Sequence, residues 1–408
     1  MSKNNLLADA KQICLSAIET CLPAKGVKDV LKKLDLKGNI YLVGVGKASF
    51  TMAEAAIELI DIKKGIIISK YNHISRPLKN VDCYEAGHPI IDENSIKATE
   101  EIIKMCSNLS VDDTVLFLLS GGASSLFEKP IIDLQELQDI NKQMLNKGLS
   151  INEINTIRKK LSLVKGGRFA DICLPAKVYS IILSDVLNDD LTTIGSGPTA
   201  KDDTSIEDVL SIIEKYDLKI KEETIEKLKN NKNGLALNSN NIVMGSVRIL
   251  CKQAMIKAKE LEYEPILISD CIDIEAKEAG NLLFKEIQKY KGKGKYALIM
   301  GGETIVKVKG NGKGGRNQEL VLSQVENIKD YDDVLIMSLG SDGTDGPTDA
   351  AGGYVDSNTY KKLLDKNIDY KQVLDNNDAY NALKAIDQLI ITGPTGTNVN
   401  DICVALIN

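Results

Sequence analysis

Four short runs in the first half of the chain are apolar on both faces: residues 40–45, 66–68, 115–119 and 178–183. A strand wetted on one side alternates apolar and polar residues. A strand without that alternation must be covered on both sides. Segments of helical periodicity separate these runs. The reading is strand over 39–45, helix over 50–62, strand over 65–69, helix over 95–107, strand over 114–119, helices over 134–146 and 151–164, and strand over 178–183. Such alternation predicts a parallel sheet with helices on both faces. Ligands of such sheets bind beyond the carboxyl ends of the strands. The loops at Gly44, Ser120 and Asp185 occupy those positions.

The pattern weakens over 201–235, a Lys/Glu-rich helical stretch read as a solvated connector. It restarts at Asn238 with strand 242–245, helix 248–261, strand 265–269 and helix 274–290. Residues 296–300 and 304–309 read as a hairpin around Gly301-Gly302, and 334–339 as a strand. The chain closes with 389–392, a loop over 393–400, and 402–407. The expected organisation is two α/β domains, 1–237 and 238–408, the second with a mixed sheet. A length of 408 residues suits that division.

Composition narrows the partners. Trp is absent and aromatics make up 4%, too few for stacking platforms on single-stranded nucleic acid. A net charge of −6 argues against a polyanionic partner. No apolar run reaches the length of a membrane span. Leu6, Leu7, Ala10, Ile13, Cys14, Ala17, Ile18 and Cys21 repeat at helical spacing with Lys and Glu between them. That predicts a surface helix with one buried face, not a signal peptide. Eight cysteines form no Cys-x-x-Cys pair, which reads as buried thiols in a reducing cytoplasm. Only His73 and His88 offer imidazoles, so a histidine-based metal cluster is excluded.

The chemistry is carried by glycine loops. Gly301-Gly302-Glu303-Thr304, Gly312-Lys313-Gly314-Gly315-Arg316-Asn317-Gln318-Glu319 and the run from Gly340 to Asp349 crowd into one segment. Glycine lets backbone approach a ligand, and its N–H groups suit oxyanions. Arg316 adds a planar cationic fork. Asp342, Asp345 and Asp349 add hard oxygens of the kind Mg²⁺ prefers. Cradle, cation and acids together point to phosphoryl transfer.

In the first half, Gly44-Val45-Gly46-Lys47 joins a strand to a helix and could hold an anion, with Lys47 reaching a phosphoryl group. It is neither a Walker A loop, since Tyr41 stands where a glycine is needed, nor a dinucleotide fingerprint, since Ser49 takes the third glycine position. The plainer reading is a tight turn with a solvent lysine. Ser120-Gly121-Gly122-Ala123-Ser124-Ser125 suits a phosphate or carboxylate. Ser150 and Glu153 form a capping box that starts a helix. On it Asn155, Arg158, Ser162 and Lys165 make a polar stripe, either a solvated face or one turned toward the ligand. Asp185 and Asp189 offer a metal site or a base, or simply turn chemistry. His88, before Pro89, reads first as a structural hydrogen-bond donor.

Together these loops resemble the glycerate 2-kinase family, whose C-terminal half is the MOFRL domain. The matching stretches are 44–49, 87–89, 119–126, 154–168, 182–199, 301–304, 312–319 and 340–352. Lys160, Asn188, Ile91 and Ser341 depart from the family's pattern, where His, Gly, Pro and Thr are expected.

The resemblance implies an N-terminal Rossmann-like domain with a mostly parallel sheet, a C-terminal MOFRL-type domain with a mixed sheet, and a site in the cleft between them. It implies ATP- and Mg²⁺-dependent phosphorylation of D-glycerate at the 2-hydroxyl. Lys47 and Arg316 would act on the transferring phosphoryl group. Asp189 would serve as base or metal ligand, with Asp185 beside it. Gly46, Ser120, Gly121, Gly122, Ser124, Arg158, Lys165, Gly301, Gly302, Glu303, Gly314, Gly315, Asn317 and Asp345 would bind nucleotide or substrate. The partners are then the small molecules D-glycerate and ATP, with no nucleic acid and no membrane. Oligomeric state stays open, a homodimer included. A hydroxypyruvate reductase and a non-enzymatic sugar-phosphate sensor are the rival readings. The first lacks a dinucleotide fingerprint, and the second leaves Asp185, Asp189 and Asp345 without a purpose.

Overall fold

The computed structural model describes residues 6–408. The chain forms two compact units: Pro23–Met244, and residues 6–22 together with Gly245–Asn408. The division thus falls after Met244 rather than after residue 237, and the first helix belongs with the C-terminal unit.

The unit Pro23–Met244 is built on a six-stranded sheet. In chain order its strands are β1 (Asn39–Val45), β2 (Lys64–Lys70), β3 (Val81–Ala86), β4 (Asp113–Leu119), β5 (Lys177–Leu183) and β6 (Ser239–Gly245). Their order across the sheet is β3-β2-β1-β4-β5-β6. β1 pairs in parallel with both β2 and β4, β2 with β3, and β4 with β5. All seven residues of β4 are buried, as expected of a strand covered on both faces. The order reverses between β1 and β4, the place where doubly wound sheets open a crevice at the strands' carboxyl ends. β6, expected in the second domain, is instead the edge of this sheet. Its polar start, Ser239-Asn240-Asn241, is tolerable there because an edge keeps one side in water.

A second apolar cluster unites the helices Leu134–Asn146, Ile151–Lys160, Ile206–Lys215 and Glu222–Asn230 through Leu137, Ile154, Ile157, Val209 and Leu228. Residues 201–235 are therefore no solvated connector: one face of each helix is charged, and the other packs. The capping box predicted at Ser150 and Glu153 is present. Its helix stops at Lys160, short of the expected residue 164, because Ser162 Oγ accepts the N–H groups of Val164 and Lys165. Gly166 and Gly167 follow at φ +57° and +80°.

The other unit carries a mixed sheet of β7 (Glu264–Ile272), β8 (Tyr296–Gly302), β9 (Val334–Gly340), β10 (Gly352–Asp356), β11 (Leu389–Ile390) and β12 (Asp401–Ile407), ordered β11-β10-β9-β12-β8-β7. β7 and β8 are parallel, and β12 runs antiparallel to both β8 and β9. The predicted hairpin at Gly301-Gly302 does not form. β8 already has β7 and β12 on its two sides, and of residues 304–309 only Ile305 makes a bridge, to Glu275. The helix Leu6–Thr20 buries the predicted face, Ala10, Ile13, Cys14, Ala17 and Ile18. Tyr263 Oη donates to Asp9 at 2.8 Å, and Thr397 Oγ1 to the Cys21 carbonyl at 2.8 Å, which tie that helix to the C-terminal unit. All eight cysteines are free thiols. Six are buried, whereas Cys271 is exposed, against expectation. Among the described residues, no helix is long and apolar enough to cross a membrane.

Candidate active site

In the unit Pro23–Met244 the loops after β1, β4 and β5 meet. Gly46, at φ +119°, donates to the Ile68 carbonyl at 3.1 Å, and Lys47 N–H donates to the Gly121 carbonyl at 2.9 Å. Ala48 N–H donates to Ser120 Oγ at 3.1 Å. The two glycine loops are thereby laced together across the crevice. The glycines at 121 and 122 lie in close approach to neighbouring side chains. A methyl group on Gly121 would lie 2.6 Å from Asp185 Oδ2, and one on Gly122 would lie 2.9 Å from His88 Cδ2 and 3.4 Å from Lys47 Cγ. Cation, glycine loop and carboxylate converge at this point.

Beside the Ser120 loop opens a cavity of about 810 Å³ lined by Ser120–Ser125, His88, Asp185, Val186, Asn155, Arg158, Lys165 and Glu128, and walled by Ile90, Leu137, Leu145 and Ile151. Phe127 stacks edge-on against Phe169 at 5.1 Å and anchors the end of the loop. The stripe Asn155, Arg158, Ser162, Lys165 is no solvated face. Lys165 is fully buried, bonds the Ser124 carbonyl at 2.8 Å, and is ion-paired to buried Glu128. Arg158 Nε donates to Asn141 at 2.8 Å. Asn155 accepts from Ser196 at 3.1 Å. Burial holds the His88 imidazole below its ordinary pKa, with Lys47, Lys70 and His73 adding to the effect.

In the acid loop, Asn188 and Asp189 both adopt left-handed backbone, φ 65° and 54°. Asparagine tolerates that region best among side chains with a Cβ, so it can stand where the family pattern has glycine. Asp185 lines the cavity; Asp189 lies four residues on, its N–H donating to Val186 at 3.3 Å. Asp190 is turn chemistry, accepting from Thr192 and Thr193.

In the C-terminal unit, Arg316 opens the short helix Arg316–Leu322. Its fork is engaged bidentately by Asp401, Nε to Oδ2 at 2.6 Å and Nη2 to Oδ1 at 3.0 Å, while Nη1 donates to Glu303 at 3.0 Å. Burial works against the arginine's charge, but the two carboxylates prevail and hold its pKa above the usual range. Asp345 caps the same helix: Oδ1 accepts from Asn317 N–H at 3.1 Å and Oδ2 from Gln318 N–H at 2.9 Å. Burial pushes its carboxyl up to about 6 in spite of those bonds. Gly315 makes room for it, since a methyl group there would lie 2.3 Å from Asp345 Cγ. Gly314 packs against the following loop, where Gly346 sits at φ +61° and a methyl would meet the Gly314 carbonyl at 2.3 Å. Gly301 and Gly302 lie within β8, pressed against Cys251 Sγ and the Ile272 backbone. Asp342, Asp345 and Asp349 do not share a ligand: Asp342 accepts from Thr344, and Asp349 from Tyr380 at 2.7 Å. Among the described residues, no group of three or more His, Cys, Asp or Glu side chains is placed to hold a metal ion.

Sequence reading missed Glu128 and Asp401. Glu128 has no glycine signature around it. Asp401 carried a faint signal, an acid directly before the wholly apolar run 402–407.

Residues 9–229 match a family described as a domain of unknown function (DUF4147), and residues 296–401 match the MOFRL family. A D-glycerate 2-kinase of Thermotoga maritima is 46% identical over 407 residues, covering 98% of this chain and 97% of the relative. A protein of Agrobacterium vitis provisionally named a hydroxypyruvate reductase is 36% identical, over 91% of this chain and 88% of its own. The crystal structure of glycerate kinase from T. maritima superposes with a TM-score of 0.95, covering 99% of each chain.

Proposed function

The chain belongs to the glycerate 2-kinase family, and on that footing we propose that it transfers the γ-phosphoryl group of ATP to the 2-hydroxyl of D-glycerate, giving 2-phospho-D-glycerate and ADP. The observation that carries this reading is the convergence of Lys47, the Ser120–Gly122 loop and Asp185 at the crevice between β1 and β4. Phosphoryl transfer needs positioning and charge neutralisation more than covalent chemistry, and these groups provide both.

A volume of about 810 Å³ far exceeds what a three-carbon acid fills, and its apolar wall suits a nucleoside better than a small polar anion. Two glycines in close contact with Asp185 and His88 make the Ser120 loop fit for polyphosphate. Mg²⁺ accompanying ATP requires one or two protein carboxylates and keeps its waters, which agrees with a site lacking a three-acid cage. Asp185 and Asp189 are the residues that would hold it. When bound, it would neutralise phosphate charge. Lys47 is the candidate phosphoryl-binding cation of the unit Pro23–Met244, Arg316 with its remaining N–H groups that of the C-terminal unit, and Asp189 is the candidate to take the hydroxyl proton.

The test is a coupled assay. Purified protein, ATP, Mg²⁺ and D-glycerate are mixed with enolase, without phosphoglycerate mutase. Phosphoenolpyruvate absorbance is the expected result. ADP without phosphoenolpyruvate until mutase is added would place the transfer at C3. NADH oxidation with hydroxypyruvate, and no ATP turnover, would overturn the kinase reading.

A further inference from the structure

Asp401 is the first residue of β12, and its register partners are Gly302 on β8 and Gly340 on β9. Its carboxylate therefore lies between two strand ends that carry no side chains. A methyl group on Gly340 would stand 3.5 Å from Asp401 Oδ1. The residue is 5% exposed, and both oxygens are committed to the Arg316 fork. A guanidinium has five N–H donors in one plane. Asp401 takes the Nε–H and one on Nη2, and Glu303 takes one on Nη1, which leaves one N–H on each terminal nitrogen. A bidentate carboxylate fixes both the plane and the rotation of its arginine, whereas the single contact to half-exposed Glu303 does not.

We propose that Asp401 is the positioning residue of this enzyme: by clamping Nε and Nη2 of Arg316, it fixes the plane in which the two remaining N–H groups meet the oxyanion of the transferring group. The inference rests on the reading of Arg316 as a phosphoryl-binding cation. Asp401 touches no reacting atom in this scheme and acts wholly through Arg316.

The kinetic cycle of wild type, Asp401→Asn, Arg316→Met and the double variant tests it, with thermal unfolding recorded for each. Arg316→Met should lower kcat by about 10²-fold or more. Asp401→Asn should lower kcat by about 10- to 100-fold and leave KM for ATP and D-glycerate within about threefold, since a misaligned fork is felt mainly in the transition state. The double variant should match Arg316→Met within about twofold, because one residue acting through another cannot add to its loss. Effects that multiply would mean Asp401 acts independently of Arg316 and would overturn the proposal, as would a wild-type kcat in Asp401→Asn. Near-normal turnover in Arg316→Met would bring down the reading of Arg316 itself. Should the Asn variant not fold, Asp401→Glu keeps the charge and displaces the fork, and the same non-additivity with Arg316→Met is expected.

Discussion

Lys165 Nζ donates both to the Ser124 carbonyl, at 2.8 Å, and to the carboxylate of Glu128, and both charged side chains are almost wholly removed from water. The pair pins the floor of the cavity to the loop that follows β4. A residue predicted to bind ligand thus braces the loop that would do the binding.

Removing one member of a buried ion pair leaves an uncompensated charge. Lys165→Met should lower stability by about 3–5 kcal/mol, and Lys165→Met with Glu128→Leu should recover much of the loss. Urea unfolding followed by circular dichroism measures both. A loss under about 1 kcal/mol in the single variant would show that the pair does not carry the loop.

Asp345 predicts a pH dependence. Burial pushes its carboxyl up to about 6 in the fold, from an ordinary value of 3.8. A raised pKa means the folded state holds the proton more tightly, so this group's contribution is full below about 4 and is lost as pH rises toward 6 and beyond. The shift corresponds to about 3 kcal/mol. In Asp345→Asn that dependence vanishes, so the deficit of the variant relative to wild type should shrink between pH 4 and about 7. Denaturant titrations across that range, with a constant difference at every pH, would contradict it.

Gly121→Ala should fold and fail. Its methyl group would stand 2.6 Å from Asp185 Oδ2, at the end of a side chain that can swing aside. The melting temperature should hold within about 2 °C, while kcat/KM drops by about tenfold or more as Asp185 leaves its place. Unchanged kinetics would detach Asp185 from the site.

Lys47→Met should cost about 10²- to 10³-fold in kcat with the fold intact, because its charge acts on the transition state. Asp189→Asn should be severely impaired, and excess EDTA should abolish turnover. A normal rate for the Asn variant would move the base or metal role to Asp185. Full turnover in EDTA would remove Mg²⁺ from the reaction.

The parallel sheet was legible because doubly covered strands cannot alternate, and residues 115–119 announced β4 without help from any motif. The loops after β1, β4 and β5 were legible as sites through strand order and glycine. Other features depended on long-range choices. Nothing local says that residues 239–245 pair with β5's sheet rather than begin a new one, or that 304–309 find no free edge. Glu128 and Lys165 lie far apart in sequence, and burial of each charge is affordable only beside the other, a fact no local window contains. Asp401 likewise has its meaning from two glycines on other strands.

The helix Leu6–Thr20 precedes the whole unit Pro23–Met244 in the chain, yet the elements that cover its apolar face, the helix Val247–Glu260, β9 and β12, lie beyond residue 245. At ordinary translation speeds of about 5–20 residues per second, the last of them, β12, follows roughly twenty to eighty seconds later. The contiguous unit Pro23–Met244 can complete itself in that interval. The C-terminal unit includes that helix, so a nascent chain stalled before residue 245 would display Ile13, Ile18 and their neighbours to whatever binds exposed hydrophobic helix first.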